Sequence, residues 1–324
     1  MSRVKAWGRF SLVRTICACV LLALAASSAA AAIAAYGGRF SLTLDHFTHF
    51  ALFYAAVGLF AGAFALLTNA RGRRLTLALC IVAVLASLGL MAPELVRETG
   101  HRLPETAPGT IKVIQFNALR TNTDLRRTVN WLIAQNPDVV AVSEARADLR
   151  DLLVARTGWK VAGAKGTLMI FTRERYLRME RPRLPKGSQL TFVNATYAMA
   201  GGEIEVVTTH LDWPTRPIFR RQPQDLESVA SRRPTARMLL LGDFNNTPWS
   251  RHIRGLDSRL DLIRRDKAVA TWPAQVLGRA WPLPFLPIDH IYAGPGWATI
   301  KVERGPWLGS DHYPLIVTLA PIPG

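Results

Sequence analysis

Met238-Leu239-Leu240-Leu241-Gly242-Asp243-Phe244-Asn245 is the stretch that decides how this chain is read. Four apolar residues in a row make a short buried strand, and the glycine permits close backbone approach at its end. Asp243 and Asn245 alternate around Phe244, so both project to one side while the phenylalanine packs inward. The same pattern, an apolar run beside a polar island, recurs along the chain. Ile111–Phe116 ends at Asn117, Asp138–Val142 leads through Ser143 to Glu144, and Ser310-Asp311-His312 precedes the run Pro314–Leu319. Thr209-His210-Leu211 closes another apolar strand with an imidazole.

Working outward, Thr121-Asn122-Thr123 forms a helix-start cluster after the first strand. Leu125, Val129, Leu132 and Ile133 follow at i, i+4, i+7 and i+8, the period of an amphipathic helix, and Asn136-Pro137 stops it. A β–α–β opening results, with Asn117 and Glu144 at the ends of its two strands. Further strands are expected at Leu168–Thr172, Leu190–Tyr197, Ile204–Thr209, Ile288–Ala293 and Leu315–Leu319, and helices at 147–156 and 219–231. Many strands with few helices between them predict an α/β fold. Its form is a four-layer α/β sandwich of two packed mixed β-sheets flanked by helices.

Composition changes sharply near residue 95. Before it lie three apolar runs, Ile16–Tyr36, Phe47–Asn69 and Leu75–Ala92, each near or above the ~18–20 residues that cross a bilayer as a helix. The expected organisation is therefore a membrane anchor of three transmembrane helices at 1–93, a linker at 94–110 and a soluble domain at 111–324. The linker assignment rests on Pro93, Pro104, Pro108 and Gly109 and on the lack of periodicity.

Arg3, Lys5, Arg9 and Arg14 precede the first run, and Arg71, Arg73 and Arg74 separate the second from the third. The positive-inside rule puts these groups in the cytoplasm, which makes the chain a multi-pass protein of the inner (cell) membrane with an extracytoplasmic soluble domain. The first run also has the basic start and small residues (Ala29–Ala32) of a signal peptide. Its removal would leave the domain on the same side.

The formal net charge is +17, of which +11 falls after residue 95. Such a surplus favours anionic partners: nucleic acid, phospholipid head groups or phosphorylated small molecules. All three cysteines, Cys17, Cys19 and Cys80, lie in the apolar runs. The soluble domain thus has no disulfide, no thiolate metal site and no cysteine nucleophile. No feature points to a protein partner.

The islands suit one chemistry best, metal-assisted cleavage of a phosphoester. A phosphodiester repels hydroxide, so its hydrolysis needs a cation to neutralise charge, a base to activate water, and donors around phosphorus. Mg²⁺ prefers oxygen ligands and needs only one or two protein carboxylates, and Glu144 at its strand end is placed to be the principal one. His312 can act as a general base once a carboxylate orients it, and Asp289 in Pro287-Ile288-Asp289-His290-Ile291 is the candidate. His210 is a second imidazole able to donate to a phosphate oxygen, and His290, inside an apolar strand, reads as structural.

Together these residues resemble the endonuclease/exonuclease/phosphatase superfamily, the DNase-I-like fold, over about residues 110–320. Gly-Asp-Phe-Asn at 242–245 followed by Ser-Asp-His at 310–312 is the specific pairing, and the N-terminal runs resemble the superfamily's bacterial membrane-anchored branch. The resemblance implies a Mg-dependent (Mn possible) phosphoric ester hydrolase with Glu144, Asn117 and Asp311 on the metal side. In it Asn117 contacts the metal's water shell or the phosphate, and His210 touches the scissile phosphate. Asp243 and Asn245 position or activate the nucleophile and stabilise the phosphorane, while Asp289 orients the catalytic His312. Ser143 departs from the glutamine usual before the metal glutamate, and long substrate-reading insertions are missing.

The expected function is divalent-metal-dependent hydrolysis of a phosphoester, most naturally a phosphodiester of nucleic acid or lipid, by in-line attack of water. A membrane-tethered module that binds a phosphate ligand without turnover is the alternative. Two substrate features stay open. Thr271–Pro287, with Trp272, Trp281 and Phe285, either dips into the bilayer or packs its aromatics on the sandwich. Arg216, Arg220 and Arg221 either receive a phosphate backbone or form a solvated helix start.

Overall fold

A computed structural model describes residues 2–67, 72–163, 165–180, 184–199, 202–231 and 235–322, with side chains from residue 12 onward. Arg71, Asn69 and Gly324, which figure in the expectations above, lie outside the described residues, as do the side chains of Arg3, Lys5 and Arg9. The chain forms two compact units, one of residues 1–96 with 249–251 and one of 97–248 with 252–324.

The first unit is built from α1 (Ser2–Ala35), α2 (Leu42–His46), α3 (Ala51–Leu66) and α4 (Arg73–Val96). Its helical segments Leu12–Arg39, Leu42–Leu66 and Arg73–Val96 are long and apolar enough to cross a membrane. Their side chains are distributed inside out. Small residues form the contacts: Ala25, Ala29 and Ala32 on α1, Ala51, Ala55, Ala61 and Ala65 on α3, and Cys80 and Ala83 on α4 are buried. A β-carbon on Gly58 would lie 3.2 Å from the carbonyl oxygen of Cys80, so the α3 backbone approaches α4 closely. Leu59, Phe60, Phe64, Ile81 and Leu85 point outward and are exposed. Water would penalise that arrangement, whereas a lipid medium makes close backbone packing the main contact and costs nothing for outward leucines. The third helix continues through Pro93 to Val96, past the boundary expected at residue 93.

In the second unit the strands are β1 (Ile111–Asn117), β2 (Val139–Ser143), β3 (Lys160–Ala162), β4 (Met169–Thr172), β5 (Arg178–Met179), β6 (Thr191–Met199) and β7 (Gly202–His210). They continue with β8 (Met238–Asp243), β9 (Ile263–Arg264), β10 (Gln275–Val276), β11 (Arg279–Ala280), β12 (Asp289–Ala293), β13 (Trp297–Arg304) and β14 (Leu315–Pro321). Two six-stranded mixed sheets result, ordered β13-β14-β1-β2-β4-β3 and β5-β6-β7-β8-β12-β9, with β10-β11 a separate hairpin.

Strand alternation sorts the core. Ile111 and Val113 of β1, Val139 and Ala141 of β2, and Leu315, Val317 and Leu319 of β14 meet Ala195, Tyr197, Val206, Leu239, Leu241 and Ile291 of the other sheet. The intervening Ile114, Phe116, Val140, Val142 and Ile316 pack with Val129 and Leu132 of α5 (Leu125–Gln135) and Leu149 and Leu153 of α6 (Ala147–Thr157). α7 (Gln222–Ala230) and α8 (Arg251–Arg259) follow β7 and β8 in the chain and bury Leu226, Val229, Ile253 and Leu256. The expected four-layer sandwich of two mixed sheets is the fold observed.

Register brings the polar islands together. β7 and β8 run parallel with His210 opposite Asp243, and β8 and β12 run antiparallel with Asp243 opposite Asp289. β1 lies parallel to β2 with Asn117 opposite Ser143. A β-carbon on Gly242 would sit 2.1 Å from the Thr209 carbonyl oxygen, so the strand pair closes only around glycine. Residues 94–110 are less free than a linker. Arg102 bridges Thr299 of β13, and the Leu103 N–H donates to the Thr299 carbonyl.

Candidate active site

The strand ends converge on one cavity of about 340 Å³. Its lining includes Asn117, Glu144, His210, Asp243, Asn245, Asp311 and His312, every expected site residue except Asp289. Asp289 lies just beneath, 1 % exposed, and its Oδ2 is 2.8 Å from Nδ1 of His312. Nε2 of the same ring faces Asp243 Oδ2 at 3.6 Å, so the imidazole is held between two carboxylates.

Two of these side chains sit on unusual backbone. Glu144 and Asn245 have φ of +54° and +50°, the left-handed region that non-glycine residues seldom occupy. Glu144 directly follows β2 and Asn245 lies two residues past the end of β8, and both side chains line the cavity. The Asn245 N–H donates to Asp243 Oδ1 at 2.9 Å, and its amide Nδ2 donates to the Leu211 carbonyl at 2.8 Å while lying 3.3 Å from His210 Nε2. These contacts tie Asp243, Asn245 and His210 into one unit.

Asn117 bridges the two halves. Its Nδ2 donates to Glu144 Oε1 at 3.1 Å and to Asp243 Oδ2 at 3.0 Å, and its Oδ1 accepts from the Leu119 N–H. Asn117 therefore acts as a clamp on two carboxylates, where the family resemblance implied contact with a metal's water shell or the phosphate. The Arg120 N–H reaches the other Glu144 oxygen at 3.3 Å.

Burial raises the Asp243 carboxyl above its ordinary range, opposed by the adjacent His312 and His210 rings. Burial alone would lower His312, but Asp289 and Asp243, with the hydrogen bond that the ring donates to Asp289, outweigh it and bring the group to about 10. The ring therefore holds its proton more tightly than an ordinary imidazole. Among the described residues Asp243, Asp289 and His312 bring ligand-type atoms within 4.8 Å of one another, a group of a kind that can hold a metal. Within that group the His312 ring is already held to Asp289 through Nδ1. Glu144 and Asp311 line the same cavity and carry carboxylate oxygens, the donor type a hard divalent ion takes.

Several supports were not legible beforehand. Thr271 Oγ1 donates to Asp289 Oδ2 at 2.6 Å, and Gln115 Nε2 lies 3.4 Å from Asp289 Oδ1 and 3.3 Å from Ser143 Oγ. Gln115 had a signal: it is a polar residue two before Asn117 on the face where Ile111 and Val113 are core. Ser310 Oγ donates to the Asn117 carbonyl and accepts from the His312 N–H, and Trp272 Nε1 donates to Asp311 Oδ2 at 3.3 Å. His290 is buried away from the cavity, with Nδ1 2.7 Å from Asp266 and Nε2 2.9 Å from the Asn246 carbonyl. Of the three arginines singled out, only Arg216 lines the cavity, and it is paired with Asp212 at 2.8 Å.

Residues 114–312 match the model of the Endonuclease/Exonuclease/phosphatase family, and the chain belongs to that family of phosphoester hydrolases. No curated protein matches the chain. Among solved structures, it is similar to an endonuclease/exonuclease/phosphatase from Bacteroides vulgatus, with 16 % identity and a TM-score of 0.55 over 66 % of this chain and 99 % of that one. A second, from Beutenbergia cavernae, has 18 % identity and a TM-score of 0.51 over 65 % and 72 %. D. rerio TDP2, solved with a single-strand DNA product, has 16 % identity and a TM-score of 0.51 over 65 % and 98 %. At such identities these likenesses are of fold.

Proposed function

We propose that the chain is a divalent-metal-dependent phosphodiesterase acting on nucleic acid or a phospholipid head group, with its catalytic domain (111–324) outside the cytoplasm on a three-helix anchor. One observation carries this: Glu144, Asn117, Asp243, Asn245, His210, Asp311 and the Asp289–His312 pair all meet at a single cavity in a member of a phosphoester-hydrolase family. Mg²⁺, or Mn²⁺, would be held by Glu144 and Asp311, and when bound it would supply neutralisation of phosphate charge.

The remaining steps belong to the chain. Asp243 is fixed by Asn117 Nδ2 and the Asn245 N–H, and it accepts a proton from the attacking water. Asn245 Nδ2 and His210 Nε2 meet at 3.3 Å on the cavity wall, and an oxygen of the expanding phosphorus centre that parts them would accept from both. His312, kept protonated and oriented by Asp289, adds a cationic donor at the phosphate. A proton held there in the resting protein makes Asp243 the base for the water, with His312 supporting it by charge and hydrogen bonding.

The test is hydrolysis by the purified full chain in detergent, with Mg²⁺, with Mn²⁺ and with chelator. Substrates are bis-p-nitrophenyl phosphate, DNA, RNA, phospholipids and phosphomonoesters. Metal-dependent turnover is expected, with Glu144→Ala and His312→Ala each lowering it by about 10²-fold or more. Turnover that survives both substitutions would reassign the site. Binding without turnover on every substrate would favour a tethered phosphate-binding module.

A further inference from the structure

The Trp- and Pro-rich segment after Ala270 separates into an inner and an outer part. Trp272 lines the active-site cavity, with Phe285 and Trp213 edge-on to it at 6.1 and 5.9 Å. These rings pack on the domain. The outer part is the hairpin of β10 and β11 with the residues just after it, and there apolar side chains face solvent: Leu277 is 98 % exposed and Leu283 70 %, with Val276 at 45 % and Trp281 at 38 % partly covered.

The turn sharpens the point. Leu277 and Gly278 have φ of +51° and +73°, the left-handed pair of a two-residue hairpin turn. Asparagine, aspartate or glycine suits the first of those positions, because a β-carbon is strained there. Here a leucine accepts the strain at the most water-exposed position, where it gains almost no contact from the protein. An apolar medium outside the domain is what would favour it.

The occupant follows from three features. Four exposed apolar side chains, Leu277 on the turn and Val276, Trp281 and Leu283 around it, make a small patch, short of the ~600–1,000 Å² per partner of a stable protein interface. The same chain carries three helices long and apolar enough to cross a membrane, so a bilayer is always tethered to this domain. Arg279 is exposed beside the turn, and a tryptophan, Trp281, stands behind it, the residue types that favour phosphate head groups and the lipid–water boundary. We infer that the Val276–Leu283 hairpin is a bilayer-docking element that seats its apolar tip among lipid chains.

The hairpin root is bonded to the catalytic loop. Ala274 N–H donates to the Asp311 carbonyl at 2.7 Å, Trp281 N–H to the Ala274 carbonyl at 2.8 Å, and Tyr313 hydroxyl to the Trp281 carbonyl at 2.7 Å. Docking the tip therefore places the Asp311–His312 side of the cavity next to the lipid surface.

The test reads membrane contact and needs no turnover, so it stands apart from the proposed hydrolysis. The full chain, with Cys17→Ser, Cys19→Ser and Cys80→Ala, carries either Leu277→Cys or Glu203→Cys labelled with an environment-sensitive nitrobenzoxadiazole dye. Glu203 is exposed at the end of β7 away from His210, and neither label enters a core or the site. After reconstitution into phosphatidylcholine vesicles with added phosphatidylglycerol, the label at 277 is expected to emit blue-shifted light. Doxyl-labelled lipid should quench it severalfold more than the label at 203. Water-like emission at 277, or quenching equal at the two positions, would overturn the proposal. So would a blue shift insensitive to doxyl lipid that grows with the protein-to-lipid ratio, since that outcome means contact with a second copy.

Discussion

In the proposed site one imidazole, His312, is held between two buried carboxylates. Asp289 takes hydrogen bonds from His312, Thr271 and Gln115, so its charge is spread over three donors that fix where it points. Asp289→Asn keeps the volume but removes the charge that outweighs burial at His312. Turnover is expected to fall by about 10²-fold with little change in KM, because the substrate still meets Glu144 and Asp311. A change confined to KM would mean that Asp289 serves binding. The same imidazole links stability to pH. Its folded value of about 10 lies above the ordinary ~6.5, so the folded state holds the proton more tightly. Its contribution is complete below pH ~6.5 and disappears as pH rises through the folded value. Thermal unfolding temperature should therefore drop from pH 7 to 10, and His312→Gln should flatten that slope. Parallel curves for the two proteins would show that no proton is held there.

At the scale of elements, the close approach of β7 and β8 aligns His210 with Asp243. Gly242→Ala would drive a β-carbon into the Thr209 carbonyl, a backbone atom that cannot swing aside. A loss of roughly 1–3 kcal/mol is expected. Activity should be lost along with it, because the strand can relax only by moving Asp243. An unchanged melting temperature would count against the register described. Long apolar strands such as β1, β2, β8 and β14 were legible from sequence because both of their faces are buried. β13 was not: Lys301, Glu303 and Arg304 interrupt its apolar character, and its register with β14 shifts between Thr299 and Lys301. α8 shows only Ile253 and Leu256 as a buried stripe, interrupted by Gly255. The site was readable for a related reason. A polar residue closing an apolar run stands out, as Asn117 and Asp243 do, whereas Thr271 and Trp272 meet Asp289 and Asp311 only through the tertiary fold.

For the whole molecule, the proposed topology turns on the three apolar helices. Three crossings would put the segment before the first span and the domain after the third on opposite sides, and the positive-inside rule chooses between the two arrangements. Arg14 stands at the entry to the first span, and Arg73 and Arg74 at the entry to the third, while Arg39 between the first and second is offset by Asp45. Under the proposed placement, this bias would retain the arginine-rich loop in the cytoplasm and send the domain outward. If the first span were removed as a signal peptide, the second and third would still form a hairpin with the same loop inside. The placement thus holds under either fate of the N-terminus. The proposed placement would also separate the substrates, since an outward domain would meet external nucleic acid and outer-leaflet lipid and have no access to the chromosome. A C-terminal alkaline phosphatase fusion in a Gram-negative host should be active and a C-terminal green fluorescent protein fusion dark. Exchanging Arg73 and Arg74 for glutamate, with basic residues added between the first two spans, should reverse both signals in part of the population. A fluorescent wild-type fusion with an inactive phosphatase would put the cavity in the cytoplasm and return intracellular nucleic acid to the candidate substrates.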